Sequence, residues 1–119
     1  MKHVTCDDLV QAVSELSPRV GGRRLVGTAE IKVWFNNHQL DYGEGKGERI
    51  FQAADYCEAS KEHPRLLKFK EGHAPNAPVY FALSFYEFAI EAKTEAHQHG
   101  WLEVLWDGEQ WDWQNALPA

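Results

Sequence analysis

The first clear pattern along the chain is helical. From Cys6 to Leu16, the apolar residues Leu9, Ala12, Val13 and Leu16 recur at helical spacing, while Asp8, Gln11 and Glu15 point elsewhere. Thr5 is placed to cap the first turn, Asp7 and Asp8 suit the positive end of the helix dipole, and Ser17-Pro18 ends the element. After Gly21-Gly22 the period changes. Between Arg24 and Phe35, Ala29, Ile31, Val33 and Phe35 alternate with Glu30, Lys32 and Trp34, which predicts a half-buried strand. Asn36-Asn37 then reads as a turn into a short return strand over His38 to Tyr42.

A glycine-rich break, Gly43 to Gly47, precedes a second predicted helix from Glu48 to Ser60, with Ile50, Ala53, Ala54 and Cys57 on one face. Leu66 to Phe69 and Val79 to Leu83 predict strands on either side of a proline-rich loop, His73 to Pro78. Ser84-Phe85-Tyr86-Glu87 has the form of a capping box, so a third helix is expected from Phe85 to about His99. Phe85, Phe88, Ala89, Ala92 and Ala96 form one stripe of that helix. Glu87, Glu91 and Glu95 form the opposite one, and Gly100 is placed to cap its end.

Trp101 to Trp106 and Glu109 to Gln114 flank Asp107-Gly108, a strong hairpin signal because these two residues tolerate the positive φ angles of a tight turn. A two-residue turn sets Val104 opposite Trp111 and Leu102 opposite Trp113; a four-residue loop shifts the partners but keeps the face. Either way Leu102, Val104, Trp106, Trp111 and Trp113 share one side. The element order predicts an α+β fold: about three helices packed on a mostly antiparallel sheet of about six short strands, ending in a β-hairpin.

Composition narrows the class. The chain has 119 residues, 44% hydrophobic and 25% charged, with a formal net charge of -6, which excludes disordered and collagen-like sequences and fits a single domain over residues 1–119. It has no apolar run of signal-peptide or membrane-spanning kind, so a cytoplasmic protein is expected. Cys6 and Cys57 make no disulfide framework and no CxxC motif, and both are expected as buried free thiols.

Catalytic and cofactor motifs are missing where they are looked for. The Gly43 to Gly47 segment has Gly47 where a phosphate-binding loop needs Ser or Thr, and Glu48 where a dinucleotide-binding fingerprint needs glycine. On a helix, His97 and His99 point about 200° apart and do not share an ion. His3, His38, His63 and His73 are scattered, and there is no Gly-x-Ser-x-Gly elbow. No cofactor, no metal and no catalytic residue are therefore assigned. Charge is more informative, since residues 87–112 carry Glu87, Glu91, Glu95, Glu103, Asp107, Glu109 and Asp112 against Lys93 alone.

These features predict a small acidic protein-binding module that acts as an inhibitor, immunity or adaptor protein. Its surface is expected at Glu87, Glu91, Glu95, Trp101, Glu103, Leu105 and Asp112, with Trp34 also left on a polar face. The expected partner is another protein, basic or nucleic-acid-associated, or a second copy paired through the hairpin edge; no membrane is involved. Two alternatives stand beside it. One is a hydrolase using a metal or an acid-base pair from distant His and Asp or Glu residues. The other is a nucleic-acid-binding accessory protein using Arg23, Arg24, Lys61, Arg65, Lys68 and Lys70, which the overall acidity disfavours.

Overall fold

The computed structural model describes residues 2–17, 24–42, 65–74, 76–107 and 111–119. The glycine-rich break, the helix expected over Glu48 to Ser60, Arg23, Cys57, Lys61 and His63 lie outside these residues. The chain begins with β1 (Lys2–His3) and α1 (Cys6–Leu16). The cap of α1 forms as its sequence implies. The Asp8 backbone N–H donates to Thr5 Oγ1 at 3.3 Å, and the Thr5 N–H donates to Asp8 Oδ2 at 2.9 Å, so both orphan donors are satisfied. Leu9, Ala12 and Val13 turn inward. Cys6 is disulfide-bonded, which corrects its reading as a free thiol.

The strand expected over Arg24 to Phe35 is instead β2 (Val26–Gly27) followed by α2 (Thr28–Asn37). Ile31, Trp34 and Phe35 are buried at helical spacing, while Val33 is 58% exposed. The two-residue alternation was a coincidence of Ala29 and Val33, whereas Trp34, counted as polar-facing, belongs to the core. Trp34 stacks on His38 with ring centroids 3.7 Å apart and meets Phe35 edge-on at 5.9 Å. Gln39, at φ 54°, turns the chain into β3 (Leu40–Asp41). That strand does not fold back on its own neighbours but pairs in parallel with β1, Lys2 opposite Leu40 and His3 opposite Asp41.

The main sheet takes β4 (Leu66–Lys70) and β5 (Val79–Leu83), both where the sequence places strands. The helix α3 (Tyr86–His99) follows, but its capping box does not form. Phe85 is the N-cap with no side-chain hydrogen bond, and the Ser84 N–H donates to the Arg65 carbonyl at 3.2 Å, prolonging strand pairing instead. At the other end Gly100 adopts φ 73°, a conformation that glycine alone reaches without cost. The last two strands are β6 (Leu102–Trp106) and β7 (Trp111–Pro118).

These strands form an antiparallel sheet in the order β2-β5-β4-β6-β7, sandwiched between helices. On one face Val26, Leu66, Val79, Phe81 and Leu83 meet Leu9 and Val13 of α1 and Ile31 and Phe35 of α2. On the other, Phe69 and Ala82 lie under Ala92 and Ala96 of α3, whose small side chains let the helix settle close to the sheet. The fold is α+β. No helix among the described residues is long and apolar enough to cross a membrane.

Candidate functional site

The register of the final hairpin decides what the molecule shows to its surroundings. Trp106 pairs with Trp111, so four residues link the strands rather than two, and Leu105 pairs with Asp112. The register then shifts and resumes with Glu103 opposite Leu117 and Leu102 opposite Pro118, leaving Trp113 to Ala116 as a bulge. Asp112 holds that bulge: its Oδ1 accepts the Asn115 backbone N–H and its two oxygens accept from Asn115 Nδ2, all at 3.1 Å. The inner side keeps Leu102, Val104, Trp111 and Ala116 together, with Trp106 and Trp113 against them.

Partners opposite one another in a sheet share a face, so Glu103, Leu105, Asp112 and Leu117 all project to the α3 side. The buried contacts of α3 fall on Phe69 of β4 and Ala82 of β5, and the β6–β7 half of this face is left partly open. Leu105 is 42% and Leu117 54% exposed there. Glu103 lies beside them with its side chain 14% exposed, and Lys93 Nζ on the near flank of α3 is 3.9 Å from its Oε2.

Burial raises the Glu103 carboxyl above its ordinary value, and the Lys93 charge opposes that only in part. The folded protein therefore holds this proton to higher pH than the unfolded chain does. Between the ordinary and the raised value the native state binds more protons, so stability contributed at this site is greatest at low pH and falls as pH rises. Glu103→Gln, which keeps the shape and removes the ionisation, is expected to raise the urea midpoint at pH 7 and to leave it unchanged at pH 4. Urea titrations at the two pH values measure this difference.

The other expected surface residues separate. Glu91 and Glu95 lie on the far flank of α3, at the β2 edge of the sheet. Glu91 pairs with the Arg24 guanidinium, and Glu95 Oε1 accepts the Arg24 backbone N–H at 2.9 Å. Arg24 also sits over the Phe88 ring at 4.7 Å. Glu87 is exposed on the first turn of the helix. Trp101 is no free platform, because Tyr80 stacks on it at 4.3 Å and His99 at 4.4 Å. Tyr80 is in turn fixed by its hydroxyl, which donates to Glu71 Oε1 at 2.5 Å.

The acidic stripe and the hairpin thus stand on opposite flanks of α3, with Lys93 between them and the hairpin. Leu117 was missed from the sequence because the last strand was ended at Gln114; the signal was Ala116-Leu117, apolar residues resuming after Asn115.

The basic stretch does not line a groove. Among its described members, Arg24 and Arg65 are paired with Glu91 and Asp7, while Lys68 and Lys70 are buried. Lys68 Nζ lies 4.1 Å from the Trp111 ring centre and 5.2 Å from that of Trp113. His97 Nδ1 donates to the Ala119 carbonyl oxygen at 2.8 Å, and His99 stacks on Trp101. Among the described residues no group of three or more His, Cys, Asp or Glu is placed to hold a metal ion. Compared with known proteins, the chain matches no family model, no curated protein and no solved structure.

Proposed function

We propose that the chain is a small acidic protein-binding module, working as an inhibitor, immunity or adaptor protein, and that it takes its partner on the α3-side face of β6–β7. The observation that carries this reading is the pair Leu105 and Leu117, apolar and about half exposed on a sheet face that the neighbouring helix covers only in part. Apolar residues at the centre of a patch, bordered by Glu103, Asp112 and Lys93, have the arrangement of an interface core with a charged rim. The net charge of -6 favours a basic partner, steered by long-range attraction. Among the described residues β7 stands last in the sheet order, beside β6, so its outer edge has backbone groups to offer a partner strand or a second copy.

Leu105→Asp combined with Leu117→Asp tests the assignment. Immobilised protein is used to capture partners from the native cell extract, which are then identified by mass spectrometry. The double variant is expected to lower capture at least tenfold while its circular dichroism and unfolding midpoint stay close to those of the parent, because both side chains are already exposed. Equal capture by the two proteins rejects this face. Sedimentation of the purified chain separates the occupants: a dimer abolished by the double variant assigns the face to a second copy.

A further inference from the structure

Tyr80 of β5, Trp101 just before β6 and His99 at the end of α3 meet in one stack of rings. Trp101 is the shared member, 16° from parallel to Tyr80 at 4.3 Å and 19° from parallel to His99 at 4.4 Å. Its backbone is fixed on both sides. Gly100, at φ 73°, turns the chain after α3, the Trp101 N–H donates to the Ala96 carbonyl at 2.9 Å, and the Trp101 carbonyl accepts the Ala119 N–H at 3.2 Å. Tyr80 stands opposite Gly27, where a Cβ would come within 3.3 Å of its Cε1, so the ring lies against the bare backbone of β2. The Tyr80 hydroxyl donates to Glu71 Oε1 at 2.5 Å, the separation of an O–H bound to a carboxylate. Glu71 projects beside it because Phe69, two residues earlier, is the strand partner of Tyr80. Glu71 and His99 are exposed, while Tyr80 and Trp101 are half-buried between them.

After thiols, indole and phenol are the side chains that give up one electron most readily. A phenol does so only as its proton leaves, because its radical cation is a very strong acid. Trp101 therefore has an electron donor in ring contact, and that donor already holds its proton against a base. We propose that Trp101, Tyr80 and Glu71 form a one-electron relay that carries oxidising equivalents from the protein surface to Tyr80 and passes them to a small reductant. A peroxyl radical meeting the stack at its His99 end takes one electron from the Trp101 indole and a proton from water, and leaves as a hydroperoxide. Tyr80 returns an electron to the indole radical cation while its hydroxyl proton moves to Glu71, which leaves a neutral tyrosyl radical beside a protonated carboxyl. An enediol of the ascorbate class then gives one electron to Tyr80 and releases its own proton to water, and Glu71 hands the phenol proton back. In each cycle one electron passes from reductant to oxidant and the protein is unchanged.

The test oxidises the full chain with photogenerated ruthenium(III) tris-bipyridine and follows the radicals by transient absorption, which separates the broad indolyl band from the narrow tyrosyl band. In the parent the tyrosyl band is expected to grow as the indolyl band decays, at a rate independent of protein concentration. Tyr80→Phe keeps the stack and removes the phenol, and Trp101→Phe keeps the phenol and removes the indole; each is expected to lower the tyrosyl yield severalfold. Glu71→Gln keeps an acceptor of similar shape and removes the base, and is expected to slow tyrosyl formation about tenfold. Tyr42→Phe, which removes a phenol whose hydroxyl meets Asn36 Nδ2, is expected to change neither yield nor rate. A tyrosyl yield unaltered by Tyr80→Phe, a rate unaltered by Glu71→Gln, or equal losses in Tyr42→Phe and Tyr80→Phe overturn the relay.

Discussion

Trp111→Ala is expected to destabilise the protein by about 3–5 kcal/mol, a large share of what a small domain has to lose. The side chain is 6% exposed on the inner face of the hairpin and closes a cluster with Leu102, Val104 and Ala116. Trp106 meets it edge-on at 5.4 Å, and the Lys68 ammonium sits over its ring. Lys68 is fully buried in a central strand, where the Trp111 π face is one of the groups that favour its ammonium. Truncation leaves a cavity and also withdraws that π face, and the two losses act together. Trp111→Phe, which keeps a smaller π face, is expected to recover about half of the deficit. Urea unfolding followed at 222 nm measures both variants, and a loss under about 1 kcal/mol for the alanine change contradicts the packing described.

Where local and long-range physics agreed, the sequence was a good guide. Thr5, Asp8 and the Leu9, Ala12, Val13 stripe all pointed to one helix, and Gly100 marked the end of another. Where they disagreed, pairing won. Ser84 had the chemistry of a cap, but its backbone N–H is held by Arg65 across the strand pair, and the helix starts one residue later without a side-chain cap. The hairpin was foreseen, and so was the face its aromatics share, but four residues join its strands rather than two and its cross-strand partners differ. The bulge was not foreseen, since it depends on Asp112 folding back onto Asn115.

The candidate surface was legible only as a set of residue types. Glu91, Glu95 and Glu103 read alike in sequence as exposed acid. Their fates diverge because Arg24 arrives at one flank of α3 and Lys93 faces the other, and no periodicity within the helix reveals what each flank will meet. Trp101 looked like an exposed anchor because its partners Tyr80 and His99 come from separate elements. Lys68 and Lys70 read in sequence as candidate nucleic-acid-binding residues, yet they are buried, because β4 lies in the middle of a five-stranded sheet with β6 and β7 beside it, a placement that no local pattern reveals.

The most direct check on α2 is a pair of substitutions that a strand and a helix score in opposite ways. In a strand, Val33 and Phe35 share one face, and both would be core residues. In the helix they lie about 200° apart: Phe35 is fully buried against α1 and the sheet, and Val33 is 58% exposed. Phe35→Ala is therefore expected to cost about 3–5 kcal/mol through lost burial and the cavity left between α1 and β5. Val33→Ala is expected to fall within about 0.5 kcal/mol of zero, because little apolar surface changes environment and alanine has the higher helix propensity. Both are read from urea unfolding at one pH with the slope held common. Costs of similar size at the two positions would return this segment to the strand that its alternating pattern suggests, and would take Trp34 out of the core with it.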